Sequence, residues 1–459
     1  MPGPARPESP ASPTDRSASP ADRSTSPADR STLGSLSVSL IRRVRPEGFG
    51  AEPTGERLAR IMRSPNFVDG AFRNPVPTDR LLPGSGLNNI RAAMTQNRAR
   101  RRPAQAVPVH RLTAEQLDVP PVTGLRLTWL GHAGVLAEIG GKRVLFDPVF
   151  GERCAPVPGI GPRRLHPNPI PPAELGAVDV VVISHDHYDH LDLPTVRMLA
   201  GSDAVFAAPL GVGAHLEFWG VPAHRIVELD WHESAEIAGL TLTATPARHY
   251  CSRGPRPSPL HLWASWVVAG GEHRVFHSGD TGYFPGFAEI GAQHGPFDAA
   301  MIQVGAYGEF WPQVHMTPEE GVRAHLDLGG GVLLPIHWCT FDLAPHSWEE
   351  PAERTLAAAI AHDIPLATPR PGEPFEPGEP LPQRPWWRAV AVPGTDDDGA
   401  ASAAGPGAVD PTAETEVLDR TADVSAGQDD REDGNDREDR VDRVDRDPDD
   451  DTQVGARLT

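Results

Sequence analysis

The stretch Ser184-His185-Asp186-His187-Tyr188-Asp189-His190-Leu191-Asp192 constrains this chain more than any other. It follows Val178-Asp179-Val180-Val181-Val182-Ile183, a short β-branched run that reads as a buried strand. Side chains alternate along an extended segment, so His185 and His187 point to one side and can share a metal. Asp189 and His190 fall where the chain must turn, which aims them at a second, neighbouring metal. Asp192 and Pro194 then read as the start of a helix running to about Gly201. A single His near a strand end is usually a core or surface residue. Three His and an Asp within six residues, at the mouth of a buried strand, point instead to a metal site.

A dinuclear site needs more ligands than this motif supplies. Three later residues are of ligand type and stand just beyond apolar runs: His249 in Pro246-Ala247-Arg248-His249, Asp280 in Ser278-Gly279-Asp280-Thr281-Gly282, and His337 in Pro335-Ile336-His337-Trp338. The glycines around Asp280 allow a sharp turn and close backbone approach. Each of the three is a weak signal alone. Cys251 and Cys339 each lie two residues after one of these His. A thiolate ligand is an alternative there, but free buried thiols fit the spacing better. Three Cys at unrelated positions give no disulfide framework and fit a reducing compartment.

The surrounding chain reads as α/β. Strands are expected at 125–130, 135–139, 142–146, 178–183, 204–208, 226–229, 236–237, 240–244, 260–268, 273–277, 297–304 and 332–336. Helices are expected at 55–64, 87–102, 284–293, 318–328 and 349–362. Thr317-Pro318-Glu319-Glu320 is a capping-box pattern with Pro at the first helical position. Strands and then helices, twice over, suggest two packed sheets covered by helices. Residues 67–77 read as extended and loop-like. The run Arg98, Arg100, Arg101, Arg102 reads as a solvated helix end, with attraction of anionic head groups as the alternative.

The formal net charge of −20 is uneven. From Gly394 onward there are about 21 acids and 7 Arg, so the acidity belongs mostly to a tail and says little about the active site. Residues 1–38 are Ser/Pro-rich with a seven-residue repeat and no apolar seam, and read as disordered, as does the acidic segment 394–459. The expected organisation is thus a domain over 39–393 between two disordered tails. No apolar run approaches a membrane span and no signal-peptide core precedes the domain, so the chain reads as cytoplasmic, with peripheral membrane contact an open alternative.

Taken together, the ligand-type residues follow the order His-x-His-x-Asp-His, His, Asp, His, which resembles the metallo-β-lactamase-fold hydrolases. Further segments resemble the N-acylphosphatidylethanolamine-hydrolysing phospholipase D branch. They include Thr128-Trp129-Leu130-Gly131-His132-Ala133, Asp147-Pro148, Gly279-Asp280-Thr281-Gly282-Tyr283, His315-Met316-Thr317-Pro318-Glu319-Glu320 and Asn74-Pro75-Val76-Pro77-Thr78. The likeness runs from about Asn66 to Pro351. It implies an αββα sandwich with His185, His187 and His249 on one metal, Asp189, His190 and His337 on the other, and Asp280 bridging. It implies two divalent ions, zinc by default, with Fe or Mn an alternative at the second position. Two such ions, less two ligand Asp and a hydroxide, leave about +1 to face an anionic substrate. Asp280 is then also the catalytic group. Tyr188 and His315 match positions that contact phospholipid in that branch, and Asp147 and His132 are expected to orient ligand imidazoles.

The activity so implied is a phosphodiesterase of phospholipase D type that releases an N-acylethanolamine and phosphatidic acid. A lactonase or small-ester hydrolase of the same fold is the second reading. A non-catalytic, metal-stabilised binding module is the third. Residues 254–259 are Pro-rich and carry no apolar stripe for a lipid groove. Nucleic acid is disfavoured as a partner by the net charge and the single short basic run.

Overall fold

A computed structural model describes residues 46–391, apart from 84, 96–98 and 255–257. The tails, and the expected boundaries at 38 and 394, lie outside those residues. An N-terminal extension carries helix α1 (Gly55–Ile61), the hairpin β1 (Phe67–Val68) and β2 (Ala71–Phe72), and helices α2 (Leu87–Thr95) and α3 (Ala114–Asp118). The hairpin sits where an extended loop was expected. Asp69 and Gly70 both take positive φ, which is the Asp-Gly signature of a two-residue hairpin turn. Phe67 and Phe72 then face each other edge-on at 5.3 Å.

The first sheet has β3 (Leu125–Gly131), β4 (Gly134–Ile139), β5 (Lys142–Phe146), β6 (Val180–Val182), β7 (Val205–Pro209) and β8 (Ile226–Leu229) in sequential order. A late strand, β15 (Pro374–Phe375), closes its β3 edge. The second has β9 (Ser234–Ile237), β10 (Leu240–Thr245), β11 (Ser265–Gly270), β12 (His273–His277), β13 (Phe297–Gln303) and β14 (Gly330–Ile336), also in order. Each sheet begins with antiparallel pairs and ends with parallel ones, β5 to β8 and β12 to β14.

Alternation along β6 shows why the sheets must be covered on both sides. Val180 and Val182 enter the core between the sheets, with Trp266, Leu242 and Leu334. Val181 points the other way, to Val196 and Leu199 of α4 (Leu193–Ala200) and Leu216 of α5 (Gly213–Phe218). The second sheet repeats the pattern: Phe276, Ala300 and Leu333 pack outward against α6 (Gly286–His294), α7 (Pro318–Leu328) and α8 (Glu350–Ala361). A strand buried on both faces reads as a continuous apolar run, as 178–183 does. The result is the αββα sandwich that the sequence implied.

Local signals fall where expected at α4 and α7. Asp192 caps α4 by accepting from the Thr195 backbone N–H, and Thr317 and Glu320 form the reciprocal capping box of α7. Two expectations need correction. The strand expected at 260–268 starts only at Ser265, because the Leu262 and Ala264 amides donate to Leu210 and Ser184 carbonyls rather than to a ladder. The helix expected at 87–102 is described over Leu87–Thr95 and has given way to a turn by residue 99, and within its basic run Arg100 and Arg102 are exposed while Arg101 turns inward. Arg101 is buried against Asp342, and Arg100 lies 3.4 Å from Glu349.

Candidate metal centre

The ligand-type residues stand at strand ends: His185–His190 after β6, His249 after β10, Asp280 after β12 and His337 after β14. All seven converge. His187 Nδ1 lies 2.9 Å from His185 Nε2 and 3.2 Å from His249 Nε2. His190 Nε2 lies 3.2 Å from His337 Nε2, and Asp189 Oδ2 is 3.3 Å from His337 Nε2. Asp280 stands between the two sets. Its Oδ2 is 3.9 Å from both His185 and His249 and 3.1 Å from His190, and its Oδ1 is 3.1 Å from His337.

The chain is forced into this arrangement at some cost. His132, Asp147 and His337 all take left-handed backbone conformations that side chains with a Cβ avoid, a pattern found at functional sites. Gly279, with φ of 55°, is the one residue type that fits there. A Cβ would come within 2.7 Å of the Ser184 Cβ and hold Asp280 away from the His185 loop. Asn74 of the extension clips His249 in place, donating to its carbonyl and accepting from its amide, both at 2.9 Å.

Hydrogen bonds behind the rings decide what the rings present in front. His190 Nδ1 is 2.7 Å from Asp147 Oδ2, so it carries the proton there and turns the Nε2 lone pair inward. Ser184 Oγ donates to the same Asp147 oxygen at 2.6 Å and accepts from His185 Nδ1 at 2.9 Å, which fixes His185 likewise. His249 Nδ1 donates to the Val314 carbonyl at 2.9 Å. Asp147 therefore orients one imidazole of each set. Lone pairs and carboxylate oxygens then face one another, an arrangement that calls for a cation. A tetrahedral ion with bonds of about 2.1 Å separates its ligands by roughly 3.4 Å, within the 2.9–3.9 Å seen here. The donor set fits a pair of divalent ions.

The titration tendencies agree. Burial alone would push the His337 imidazolium down, but the Asp280 charge and hydrogen bonds to Asp189 and Asp280 lift it to about 9. His190 likewise rises well above its ordinary value against the pull of burial, because Asp280, Asp147 and Asp189 surround it. The carboxylates demand positive charge, and a proton is one way to supply it. His185 falls well below its ordinary value through burial and the neighbouring imidazoles.

His132 Nε2 lies 2.9 Å from Asp189 Oδ2. Burial holds His132 neutral, down to about 3, so its single ring proton can steer that carboxylate. His315 lines the cavity above the centre, its Nε2 3.9 Å from Asp280 Oδ2, and burial lowers it to about 4. Tyr188 is placed differently. Its hydroxyl donates to the Arg253 carbonyl, its ring lies 4.3 Å under the Arg253 guanidinium, and it packs against the Val149, Cys154 and Phe341 cluster. It is not part of the cavity wall. The three thiols are free and buried. Cys251 points to the Leu262 carbonyl, and burial raises both Cys251 and Cys339.

Three features had no signal strong enough to be singled out in the sequence. Arg253, fully buried, donates to the carbonyls of Asp186 and Leu191 at 2.7 Å each and of Gly48 at 2.8 Å, and so clamps the ligand turn to the extension. Arg80 and Tyr250 wall the cavity of about 270 Å³ that opens over His187, Asp189 and Asp280. A further buried group, Asp186, His215 and His261, lies behind the ligand loop, with His215 Nε2 3.5 Å and His261 Nδ1 4.0 Å from Asp186 Oδ2.

Comparison with known proteins gives the same fold. The model of the beta-lactamase superfamily domain matches residues 142–338. An uncharacterized protein of Mycobacterium tuberculosis is 48% identical over 348 residues, covering 75% of this chain and 92% of that protein. The N-acyl-phosphatidylethanolamine-hydrolyzing phospholipase D 1 of Caenorhabditis elegans is 36% identical over 249 residues, or 52% of this chain and 69% of that protein. The mitochondrial N-acyl-phosphatidylethanolamine-hydrolyzing phospholipase D of Saccharomyces cerevisiae is 30% identical over 237 residues, covering half of each chain.

Proposed function

This chain belongs to the beta-lactamase superfamily of metal-dependent hydrolases, and we propose that it cleaves the phosphodiester bond of an N-acylphosphatidylethanolamine-like lipid. The products would be an N-acylethanolamine and phosphatidic acid. His185, His187 and His249 would hold one divalent cation and Asp189, His190 and His337 a second, with Asp280 shared. Five imidazoles favour zinc, with Fe or Mn the alternative at the second position. The observation that carries this reading is the Asp280 carboxylate, set within 3.1–3.9 Å of imidazoles from both sets at the floor of an open cavity. The phospholipase D relatives, at 30–36% identity, support the choice of bond.

When bound, the cations supply Lewis-acid polarisation of a phosphoryl oxygen and activation of water. The chain's own residues do the rest. Asp280 lines the cavity and can accept a proton from the attacking water. Asp147, through Ser184 and His190, keeps one imidazole of each set in the ligating tautomer. His315 is neutral and can hydrogen-bond a substrate oxygen. Leu81, Trp311, Val314 and Leu343 give the cavity an apolar wall. They offer the acyl-bearing part a surface that 254–259 lacked in sequence; residues 255–257 of that stretch lie outside the described residues.

No helix among the described residues is long and apolar enough to cross a membrane. A lipid substrate would bring the 39–393 domain to a bilayer surface as a peripheral, cytoplasmic enzyme. A nucleic-acid partner is disfavoured because Arg101 is buried against Asp342 and Arg100 pairs with Glu349 at the surface. The test is metal-loaded protein offered N-acylphosphatidylethanolamine, a soluble phosphodiester and a lactone. Release of phosphatidic acid is expected. Turnover of the lactone with silence on both phosphodiesters would overturn the reading.

A further inference from the structure

Arg80 lies in the extension, far in sequence from the metal centre, yet its side chain lines the same cavity as His187, Asp189 and Asp280. The segment is fixed there. The Asp79 amide donates to Gln313 Oε1 at 2.8 Å and the Leu82 amide to the Phe310 carbonyl at 2.9 Å. The Arg80 guanidinium lies 4.6 Å over the Tyr250 ring. That ring in turn rests against His187 and His249, both at 4.8 Å. Arg80 is thus one aromatic layer from two of the imidazoles around the centre.

The other guanidiniums near the site are occupied. Arg253 donates to three carbonyls, Arg248 bonds to Tyr283, Pro77, Thr78 and Gln313, and Arg101 pairs with Asp342. Arg80 has no ion pair or hydrogen bond among the described residues, and the Tyr250 face is its one partner. Stacking uses the face of a guanidinium and leaves its edge, with five N–H donors, free to meet a planar or tetrahedral oxyanion. Asp189 and Asp280 share the cavity but lie beyond ion-pair distance of Arg80 and are turned to the imidazoles. A second fixed cation beside a centre built for cations is unfavourable until an anion enters between them.

We propose that Arg80 is a specificity-determining residue that grips the non-bridging oxygens of a phosphoryl group in the cavity, opposite the metal centre. This rests on the phosphodiester reading for its substrate, but its recognition chemistry can be tested without turnover. The probe is inorganic phosphate, titrated calorimetrically into metal-loaded wild-type protein, Arg80→Gln and Arg80→Lys. A charge-assisted pair lost from such a site weakens binding about tenfold to a hundredfold. That weakening is expected for Arg80→Gln, with partial recovery in Arg80→Lys and unchanged metal content. In steady state, KM for a soluble phosphodiester should rise by a similar factor in Arg80→Gln while kcat stays within about threefold.

Equal phosphate affinity in wild type and Arg80→Gln, or no phosphate binding to wild type at millimolar concentration, overturns the proposal. Wild type that binds phosphate through Arg80 yet hydrolyses no phosphodiester leaves the anion site standing and removes the phospholipase reading. Turnover of phosphodiesters with no effect at Arg80 does the reverse.

Discussion

Two groups of buried His and Asp lie on the two sides of the 185–190 loop, and the hydrogen bonds behind their rings differ. In front, His185, His187, His249 and Asp280 meet His190, His337 and Asp189. Behind, Asp186 meets His215 and His261, whose rings stack at 4.4 Å. Residue types, burial and spacing are alike. The difference is the partner behind the rings of His185, His190 and His249 in front and of His215 behind. Asp147, Ser184 and the Val314 carbonyl accept protons from the front rings and so turn lone pairs inward. The Ala51 amide instead donates to His215 Nδ1 at 3.0 Å, so the His215 proton sits on Nε2 and points at Asp186. A protonated nitrogen cannot ligate. His215 thus presents a donor to Asp186, which also accepts from the Ser252 amide at 2.8 Å, while neither ring nitrogen of His261 has a hydrogen-bond partner among the described residues. The tautomer, set by one backbone or side-chain neighbour, separates a ligand from a strut.

The largest effect should come from the carboxylate that the two front sets share. Asp280→Asn keeps an oxygen in place but loses the base, and turnover is expected to fall about 10²–10⁴-fold. Metal content by elemental analysis should hold near the wild-type value. Full activity in that variant would break the assignment. Next comes the residue that orients a ring in each set. Asp147→Asn replaces an acceptor with a group that can donate, so His190 and Ser184 lose their fixed direction. Metal affinity, read by competition with a chromophoric chelator, should weaken about 10–100-fold. An unchanged affinity would mean the tautomer argument does not govern the front group.

Much of this contrast was legible in the chain. The alternation that brings His185 and His187 together also sends Asp186 to the opposite side, because side chains in an extended segment change face at each step. The β-branched run before them gave a strand buried on both faces, and so the layered fold. What linear sequence could not carry was the partner of each ring. Asp147 reaches His190 from the end of β5, and the Ala51 amide reaches His215 from the extension. Backbone amides have no identity in sequence. Arg80 was invisible for a similar reason: only the fold shows that Thr78-Asp79-Arg80 passes over the cavity, and that its guanidinium meets the Tyr250 ring but no ion pair or hydrogen bond among the described residues. Tyr188 stood inside the motif and so looked like part of the site, but its ring is bound to Arg253.

Smaller effects sharpen the comparison from the rear. His215→Leu removes the acceptor for the part-buried Ala51 amide and the donor facing Asp186 Oδ2, while the Ser252 amide still serves Asp186 Oδ1. Such losses cost about 1–3 kcal/mol each, so denaturant midpoints should fall with the slope unchanged, while elemental analysis gives the same metal content as wild type. Loss of an ion from His215→Leu would make the rear group a site after all.

The smallest expected change is Tyr188→Phe. It deletes one hydrogen bond to the Arg253 carbonyl and leaves the ring under the guanidinium. Stability should drop by about 1 kcal/mol or less. If Tyr188 only braces Arg253, KM for a phosphodiester should stay within about twofold, because Arg253 still bridges the Asp186 and Leu191 carbonyls that bracket the ligand turn. A KM increase of tenfold with stability unchanged would instead mean that the hydroxyl leaves Arg253 for the substrate. Tyr188 would then belong to the front of the loop, with the substrate, rather than to the face that Arg253 supports.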